Sequence, residues 1–144
     1  MVDRLLIVAA LVAVVAGLVA GGRALARRRL SELRAADPGR LWAALRAEPD
    51  GRLTIVAFST PSCAACKAAQ EPALTALQAR AAEDLRVIRV DAAERPEVAS
   101  TFGVLTVPAT VVLDRLGRVV AANQGFATAD QLALQLRPHD VSSR

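Results

Sequence analysis

The residues in this chain that could do chemistry are two cysteines close together and one distant histidine. Cys63 and Cys66 flank Ala64-Ala65, and His139 lies near the C-terminus. A mononuclear zinc site takes four nitrogen or sulfur ligands, which these three residues do not supply, so no metal ligand is predicted. Two cysteines are also too few for a structural disulfide scaffold. The spacing is therefore typical of thiol–disulfide exchange, or of a soft-metal loop for an ion such as Cu(I).

The elements around the cysteines favour the redox interpretation. Residues 53–58 (LTIVAF) are apolar and rich in β-branched side chains, which predicts a buried strand. After a turn over residues 59–62, a helix is expected from about Cys63 to Ala82. Unpaired N–H groups and the helix dipole favour a thiolate at such an N-terminus. We therefore expect Cys63 to be the exposed nucleophile and Cys66, one turn further on, to be the resolving cysteine.

The remaining pattern predicts one compact domain. Asp37-Pro38 has the form of a helix N-cap followed by proline, and Thr128 to Gln131 has capping-box spacing at the start of a last helix. Between them we expect strands at 85–90, 109–113 and 118–122, a short helix at 95–101, and a tight turn at 114–117. The domain should span residues 38–137, followed by a polar tail over residues 138–144.

An apolar N-terminal stretch precedes this domain. Residues 5–22 carry no charge and would span about 27 Å as a helix, close to the thickness of the hydrocarbon core of a bilayer. We expect residues 1–22 to be an uncleaved membrane anchor and residues 23–37 a basic helical linker. The alternative is a signal peptide, since Ala24-Leu25-Ala26 resembles a cleavage site. The arginines that follow at once argue against cleavage.

Composition and charge limit the possible partners. The chain is 53% hydrophobic with a formal charge of +4, and its densest basic run, residues 27–29, directly follows the apolar stretch. That placement is typical of a membrane flank. Aromatic residues make up only 3% of the chain, too few for base-stacking platforms, so no nucleic-acid binding is predicted.

A second feature completes a resemblance to a known family. Pro108, in TVPAT, stands at the mouth of a predicted strand, where proline is unusual because it removes a ladder donor. Residues 38–137 resemble the thioredoxin family. The resemblance rests on Pro108 and Gly125 and on the segments LTIVAFSTPSCAACK and VIRVDAAERPEVASTFGVLTVPATVVLDRLGRVV. The resemblance implies an α/β fold, namely a thioredoxin-like mixed sheet flanked by helices and here preceded by an N-terminal transmembrane helix.

The resemblance also implies an activity and a site. It makes the chain a protein disulfide oxidoreductase, with Cys63 as nucleophile, Cys66 as resolving cysteine and Pro108 as a substrate-facing cis-proline. A cis bond would leave the backbone of Val107 free to pair with an extended peptide, and Ser62 precedes the nucleophile; both are expected to contact substrate. The expected partners are protein thiols and disulfides, with no cofactor, and the expected state is a monomer.

Several positions depart from the family pattern. Ser62 replaces the usual tryptophan, Ala64-Ala65 replaces Gly-Pro, and the helix proline falls one residue late, at Pro72. Ala57 stands where the family has a buried aspartate, and Val87 stands where that aspartate has its lysine. Because a candidate proton acceptor for Cys66 is missing, we expect a dedicated membrane-tethered reductase or oxidant rather than a general thioredoxin.

Two other functions and two locations stay open. C-A-A-C also resembles the loop of small copper carriers, but Pro61 stands where those have methionine; the third possibility is a redox-inert, membrane-tethered interaction domain. The arginine distribution favours a domain on the cytoplasmic face. Anchored thioredoxin-like proteins, however, often act outside the cytoplasm, where disulfides persist, and this favours a domain on the extracytoplasmic side.

Overall fold

A computed structural model describes residues 2–140, the side chains of residues 2, 82 and 140 excepted. The chain forms two compact units, Met1–Glu32 and Leu33–Arg144. The first unit is part of helix α1 (Val2–Ala35), which continues without a break across the predicted boundary between anchor and linker. The segment Asp3–Ala35 is long and apolar enough to cross a membrane, a property that signal sequences share.

The second unit contains the predicted domain. After α1 come α2 (Pro38–Leu45), β1 (Leu53–Ser59), a π-helical turn (Cys66–Gln70), α3 (Glu71–Ala81) and a 3₁₀ turn (Ala82–Asp84). They are followed by β2 (Leu85–Asp91), α4 (Pro96–Thr101), β3 (Ala109–Leu113), β4 (Val119–Gln124) and α5 (Ala129–Asp140). The predicted caps are confirmed, because Asp37 accepts from the Gly39 N–H and Thr128 accepts from the Gln131 N–H.

The strands form one mixed sheet in the order β2-β1-β3-β4. β1 and β2 are parallel, whereas β3 is antiparallel to both β1 and β4. Alternate residues of β1 face opposite sides of this sheet. Ile55 and Ala57 lie in a core with Leu74 and Leu77 of α3 and Leu132 and Leu136 of α5. On the other side, the ring of Phe58 lies 5.5 Å from that of Phe102, directly after α4. The predicted mixed sheet flanked by helices is confirmed.

The helix after the cysteines differs from the expected regular α-helix. It begins at Ala64 but contains the π-helical turn Cys66–Gln70, in which the Glu71 N–H bonds to the carbonyl of Cys66. Pro72 gives the physical reason. Proline has no N–H and its ring crowds the carbonyl four residues earlier, and a wider turn relieves this. The π-helical turn thereby accommodates the one residue by which Pro72 falls later than the family's helix proline, and α3 continues as a regular α-helix.

The last strand and the last helix extend beyond their expected ends. β4 covers residues 119–124 instead of 118–122, so it reaches the loop that contains Gly125. Helix α5 continues through Pro138 to Asp140, beyond the expected start of the polar tail. Residues 141–144 of that tail lie outside the described residues.

Candidate functional site

The cysteine pair stands where β1 passes into the helix. The chain turns after Ser59, and the Cys63 N–H bonds to the carbonyl of Thr60 at 3.1 Å. The carbonyl of Cys63 in turn accepts the Lys67 N–H at 3.4 Å, which is the first bond of the helix. Cys63 is thus the N-cap residue, at the positive end of the helix dipole. This is the position that the sequence predicts.

Cys63 and Cys66 are joined by a disulfide bond. The two residues differ in access, since Cys66 is only 5% exposed while Cys63 is half-buried. The Cys66 N–H also lies 3.1 Å from Cys63 Sγ. In the reduced protein, a donor at this position would stabilise negative charge on Cys63. The geometry therefore suits Cys63 for external attack and Cys66 for attack on its neighbour.

The loop before β3 borders the same region. The Val107–Pro108 peptide bond is cis, as the sequence predicts. The carbonyl of Pro108 accepts the Gly125 N–H at 2.8 Å, which joins this loop to the end of β4. Val107 and Thr60 together border a cleft of about 410 Å³ in front of α4. Ser62 is exposed, and its hydroxyl lies 3.5 Å from that of Thr60. Thr60 therefore lies next to Ser62 and lines the same cleft as Val107.

A second, charged cleft of about 330 Å³ lies beside Cys66. Its titratable lining side chains are Lys67, Glu71 and Asp91; Ser59, Thr60 and Pro61 complete the lining. Glu71 is held by Arg89 of β2, whose Nε lies 2.8 Å from Glu71 Oε1. Asp91 lies in the segment VIRVDAAERPEVASTFGVLTVPATVVLDRLGRVV that carries the family resemblance, but nothing in the sequence pointed to a role for Glu71 or Arg89. Their separation of 18 residues gives no local signal.

Gln70 is a third residue to which no motif in the sequence pointed. It is 3% exposed, and its amide makes two hydrogen bonds to the backbone of Ala127. The side-chain N–H donates to the Ala127 carbonyl at 3.1 Å, and the side-chain oxygen accepts the Ala127 N–H at 3.0 Å. Gln70 therefore ties the helix of the cysteines to the loop between β4 and α5. Its only sequence signal is the extra residue before Pro72.

The two positions that depart from the family's buried ion pair lie in an apolar environment. Ala57 is 6% exposed in the core, and Val87 packs against the same cluster. The residue paired with Ala57 on β2 is Arg89, whose guanidinium also contacts Gln78. Within residues 2–140, no three or more His, Cys, Asp or Glu side chains are grouped so that they could hold a metal ion.

Comparison with known proteins places these features in a family. A sequence model of the thioredoxin family matches residues 44–137. Thioredoxin from Bacillus subtilis (strain 168) is 29% identical over 93 residues, which cover 65% of this chain and 88% of the relative. Thioredoxin from Listeria monocytogenes is 29% identical over 80 residues, which cover 56% of this chain and 76% of the relative.

Solved structures show the same fold. A malarial protein superposes with a TM-score of 0.57 at 21% identity, covering 62% of this chain and 99% of its own. A thioredoxin-2, described as a component of the malaria parasite protein secretion machinery, also gives a TM-score of 0.57, at 20% identity. It covers 61% of this chain and 84% of its own. At these identities the likeness concerns the fold alone.

Proposed function

This chain belongs to the thioredoxin family of thiol–disulfide oxidoreductases, and we propose that it exchanges disulfides with partner proteins through Cys63 and Cys66. The observation that carries the proposal is the disulfide-bonded pair at a helix N-terminus, with Cys63 half-buried and Cys66 buried. In such an arrangement the accessible thiol attacks the partner disulfide, and the buried thiol later resolves the mixed disulfide and releases the partner.

The proposed exchange has two steps. In the reduced protein, the Cys63 thiolate attacks a partner disulfide, forms a mixed disulfide and releases one partner thiolate. The Cys66 thiolate then attacks Cys63 Sγ and releases the second partner thiolate. Two electrons pass to the partner, and the Cys63–Cys66 disulfide is left; oxidation of a partner runs the same steps in reverse.

We propose that the partner chain lies along the loop before β3. The backbone of Val107 would pair with an extended peptide, with Pro108 and Ser62 on either side of the partner's sulfur. The cleft bordered by Thr60 and Val107 supports this placement, because it opens beside the residue that Cys63 bonds through its N–H. The protein would act as a monomer on such partners.

We also propose that residues 5–22 anchor the chain in a membrane, with residues 23–37 as a basic linker and residues 38–137 as the exchange domain. All apolar side chains described in this stretch are exposed, as expected of a helix that meets lipid. The arginines that follow it are Arg23, Arg27, Arg28, Arg29 and Arg34, whereas only Arg4 precedes it. The positive-inside rule then places the domain on the cytoplasmic face.

Three experiments test these proposals. In membranes, Cys66→Ser should accumulate mixed disulfides with partner proteins that reductant releases, while Cys63→Ser and the double variant should accumulate none. Faster alkylation of Cys66 than of Cys63 in the reduced chain would reverse the two roles. For topology, phosphatase and fluorescent reporters are fused after Arg144. A fluorescent, phosphatase-inactive fusion supports the cytoplasmic face, and the opposite pair of results refutes it.

A further inference from the structure

The buried cysteine needs a route by which its proton can leave. Only a thiolate attacks a disulfide, so Cys66 must lose its proton when the mixed disulfide is resolved. Cys66 is 5% exposed, and Ala57, which stands on β1 where the family has a buried aspartate, has no titratable group. The proton must therefore leave on another side of the cysteine.

The charged cleft beside Cys66 offers that side. At about 330 Å³ it has room for several water molecules, and it brings Cys66 together with two carboxylates, Glu71 and Asp91, and the ammonium of Lys67. Asp91 has a structural task, because its Oδ1 accepts the backbone N–H groups of Ala93 and Glu94 at 2.8 and 3.3 Å. Glu71 bonds to a side chain instead of the backbone: both of its contacts with the guanidinium of Arg89 fall on Oε1, and Oε2 takes no part in them.

The π-helical turn explains why Glu71 lies on the side of Cys66. In an α-helix, residues five apart point in directions about 140° different. Here the Glu71 N–H bonds to the Cys66 carbonyl, so one wide turn separates the two residues and brings them to one face. Such π-helical turns occur frequently at functional sites. Arg89, which is paired with Ala57 across the sheet, holds the carboxylate at this edge.

We propose that Glu71 accepts, through water in this cleft, the proton that Cys66 loses during resolution, with Arg89 as the residue that positions its carboxylate. The Cys66 thiolate then attacks Cys63 Sγ, the partner thiolate leaves, and the proton on Glu71 returns to solvent or to the leaving thiolate. The inference rests on the proposed exchange function and assigns it one more residue. The other charged groups that face this route are Lys67, Asp91 and Arg89.

The two steps can be separated with one chromogenic probe. Reduced full-length protein in detergent is mixed with excess 5,5′-dithiobis(2-nitrobenzoate) in a stopped-flow instrument. Attack by Cys63 releases the first thionitrobenzoate at a rate that depends on probe concentration. Resolution by Cys66 releases the second at a rate that does not. Glu71→Gln keeps the size of the side chain and its contact with Arg89 but removes the proton acceptor.

Glu71→Gln should lower the rate of the second phase about tenfold at pH 7 and leave the rate of the first phase within twofold of wild type. The tenfold loss is smaller than the usual contribution of a general base. The second phase of this variant should also rise with pH over a range in which that of wild type is flat, and Glu71→Asp should recover part of the rate. The matched control is Asp130→Asn, which removes an exposed carboxylate 3.2 Å from Arg80 in the last turn of α3. It should leave both phases unchanged.

Four results would overturn the inference. An unchanged second phase in Glu71→Gln would exclude Glu71 as the acceptor, as would a larger loss in Asp91→Asn than in Glu71→Gln. An equal loss in both phases would mean that Glu71 only supports the fold of the site. If the wild-type chain showed no first phase, the exchange function itself would fail, and this inference with it.

Discussion

Replacing Gln70 tests whether the helix of the cysteines depends on a single buried amide. Ala127 is fully buried, and both its N–H and its carbonyl bond to the Gln70 side chain. In Gln70→Ala both backbone groups lose their partner. An unsatisfied buried group costs about 1–3 kcal/mol, and a cavity is left as well, so we expect a loss of about 3 kcal/mol in the free energy of unfolding.

The measurement uses the only tryptophan of the chain. Trp42 is 4% exposed in the folded domain, so its fluorescence reports unfolding of that domain by urea in the full-length protein in detergent. Gln78→Ala is the matched control, because Gln78 lies on the following α3 helix, is only half-buried and contacts Arg89 at 3.3 Å. It should change the free energy of unfolding by less than about 0.5 kcal/mol.

A second substitution separates hydrogen bonding from packing. Gln70→Glu keeps an acceptor for the Ala127 N–H but, when ionised, has no donor for the Ala127 carbonyl. Burial raises the pKa of the introduced carboxyl, so the destabilisation should be present at pH 7 and diminish as the pH falls and the group is protonated. If Gln70→Ala were as mild as Gln78→Ala, or Gln70→Glu showed no pH dependence, the amide bridge would not be stabilising this loop.

Two further predictions concern the opposite end of the sheet. Gly117 has a φ of +78°, and Gly117→Ala would place a Cβ 2.3 Å from Nε1 of the buried Trp42, so it should lower the free energy of unfolding in urea by about 2–4 kcal/mol. The control Gly51→Ala has a similar φ of +79° but nothing within 4 Å of the added Cβ, and should lower it by only about 1 kcal/mol. Equal losses in the two variants would refute the steric argument. Hydrogen bonding to Arg52 lowers the pKa of Asp50, so Asp50→Asn should lose less than about 1 kcal/mol at pH 7. The difference from wild type should shrink as the pH falls below the usual pKa of an aspartate and the carboxylate is protonated; a constant difference would contradict the assignment.

The strands and caps of this domain could be predicted because their signals are local. Residues 53–58 form a run of apolar and β-branched side chains, and the structure has a strand at Leu53–Ser59. Asp37 and Pro38 mark the start of α2, where the side chain of Asp37 accepts a hydrogen bond from the N–H of Gly39, two residues further along the chain. The position of the cysteines at a helix start followed from the same kind of reasoning, since the strand before them and the turn between are both visible in the sequence.

The charged cleft could not be predicted because it depends on two features that the sequence alone does not specify. The first is the π-helical turn, which no intrinsic propensity encodes and which the late position of Pro72 only indicates after comparison with the family. The second is the pairing register of β1 and β2, which places Arg89 opposite Ala57. A register is fixed by burial across the whole sheet, so the contact between Arg89 and Glu71 is invisible along the chain.

The substitution Ala57→Asp brings these points together, because it would restore a carboxylate on the core face of β1. Position 57 is 6% exposed, its cross-strand partner Arg89 is already engaged by Glu71, and Val87 offers no charge. An unpaired buried carboxyl costs a few kcal/mol or is protonated instead.

We expect Ala57→Asp to lose about 2–4 kcal/mol of unfolding free energy at pH 7. Because burial raises the pKa of the introduced carboxyl, the charge-dependent part of this loss should disappear as the pH falls towards about 4. Ala57→Asn, of equal size, measures the part due to volume and polarity alone. In the two-phase assay Ala57→Asp should speed the second phase, with the larger gain in a Glu71→Gln background, where the native acceptor is missing. Unchanged second phases in both backgrounds would mean that the absent family aspartate does not limit resolution in this protein, and that proton removal from Cys66 is not the slow event.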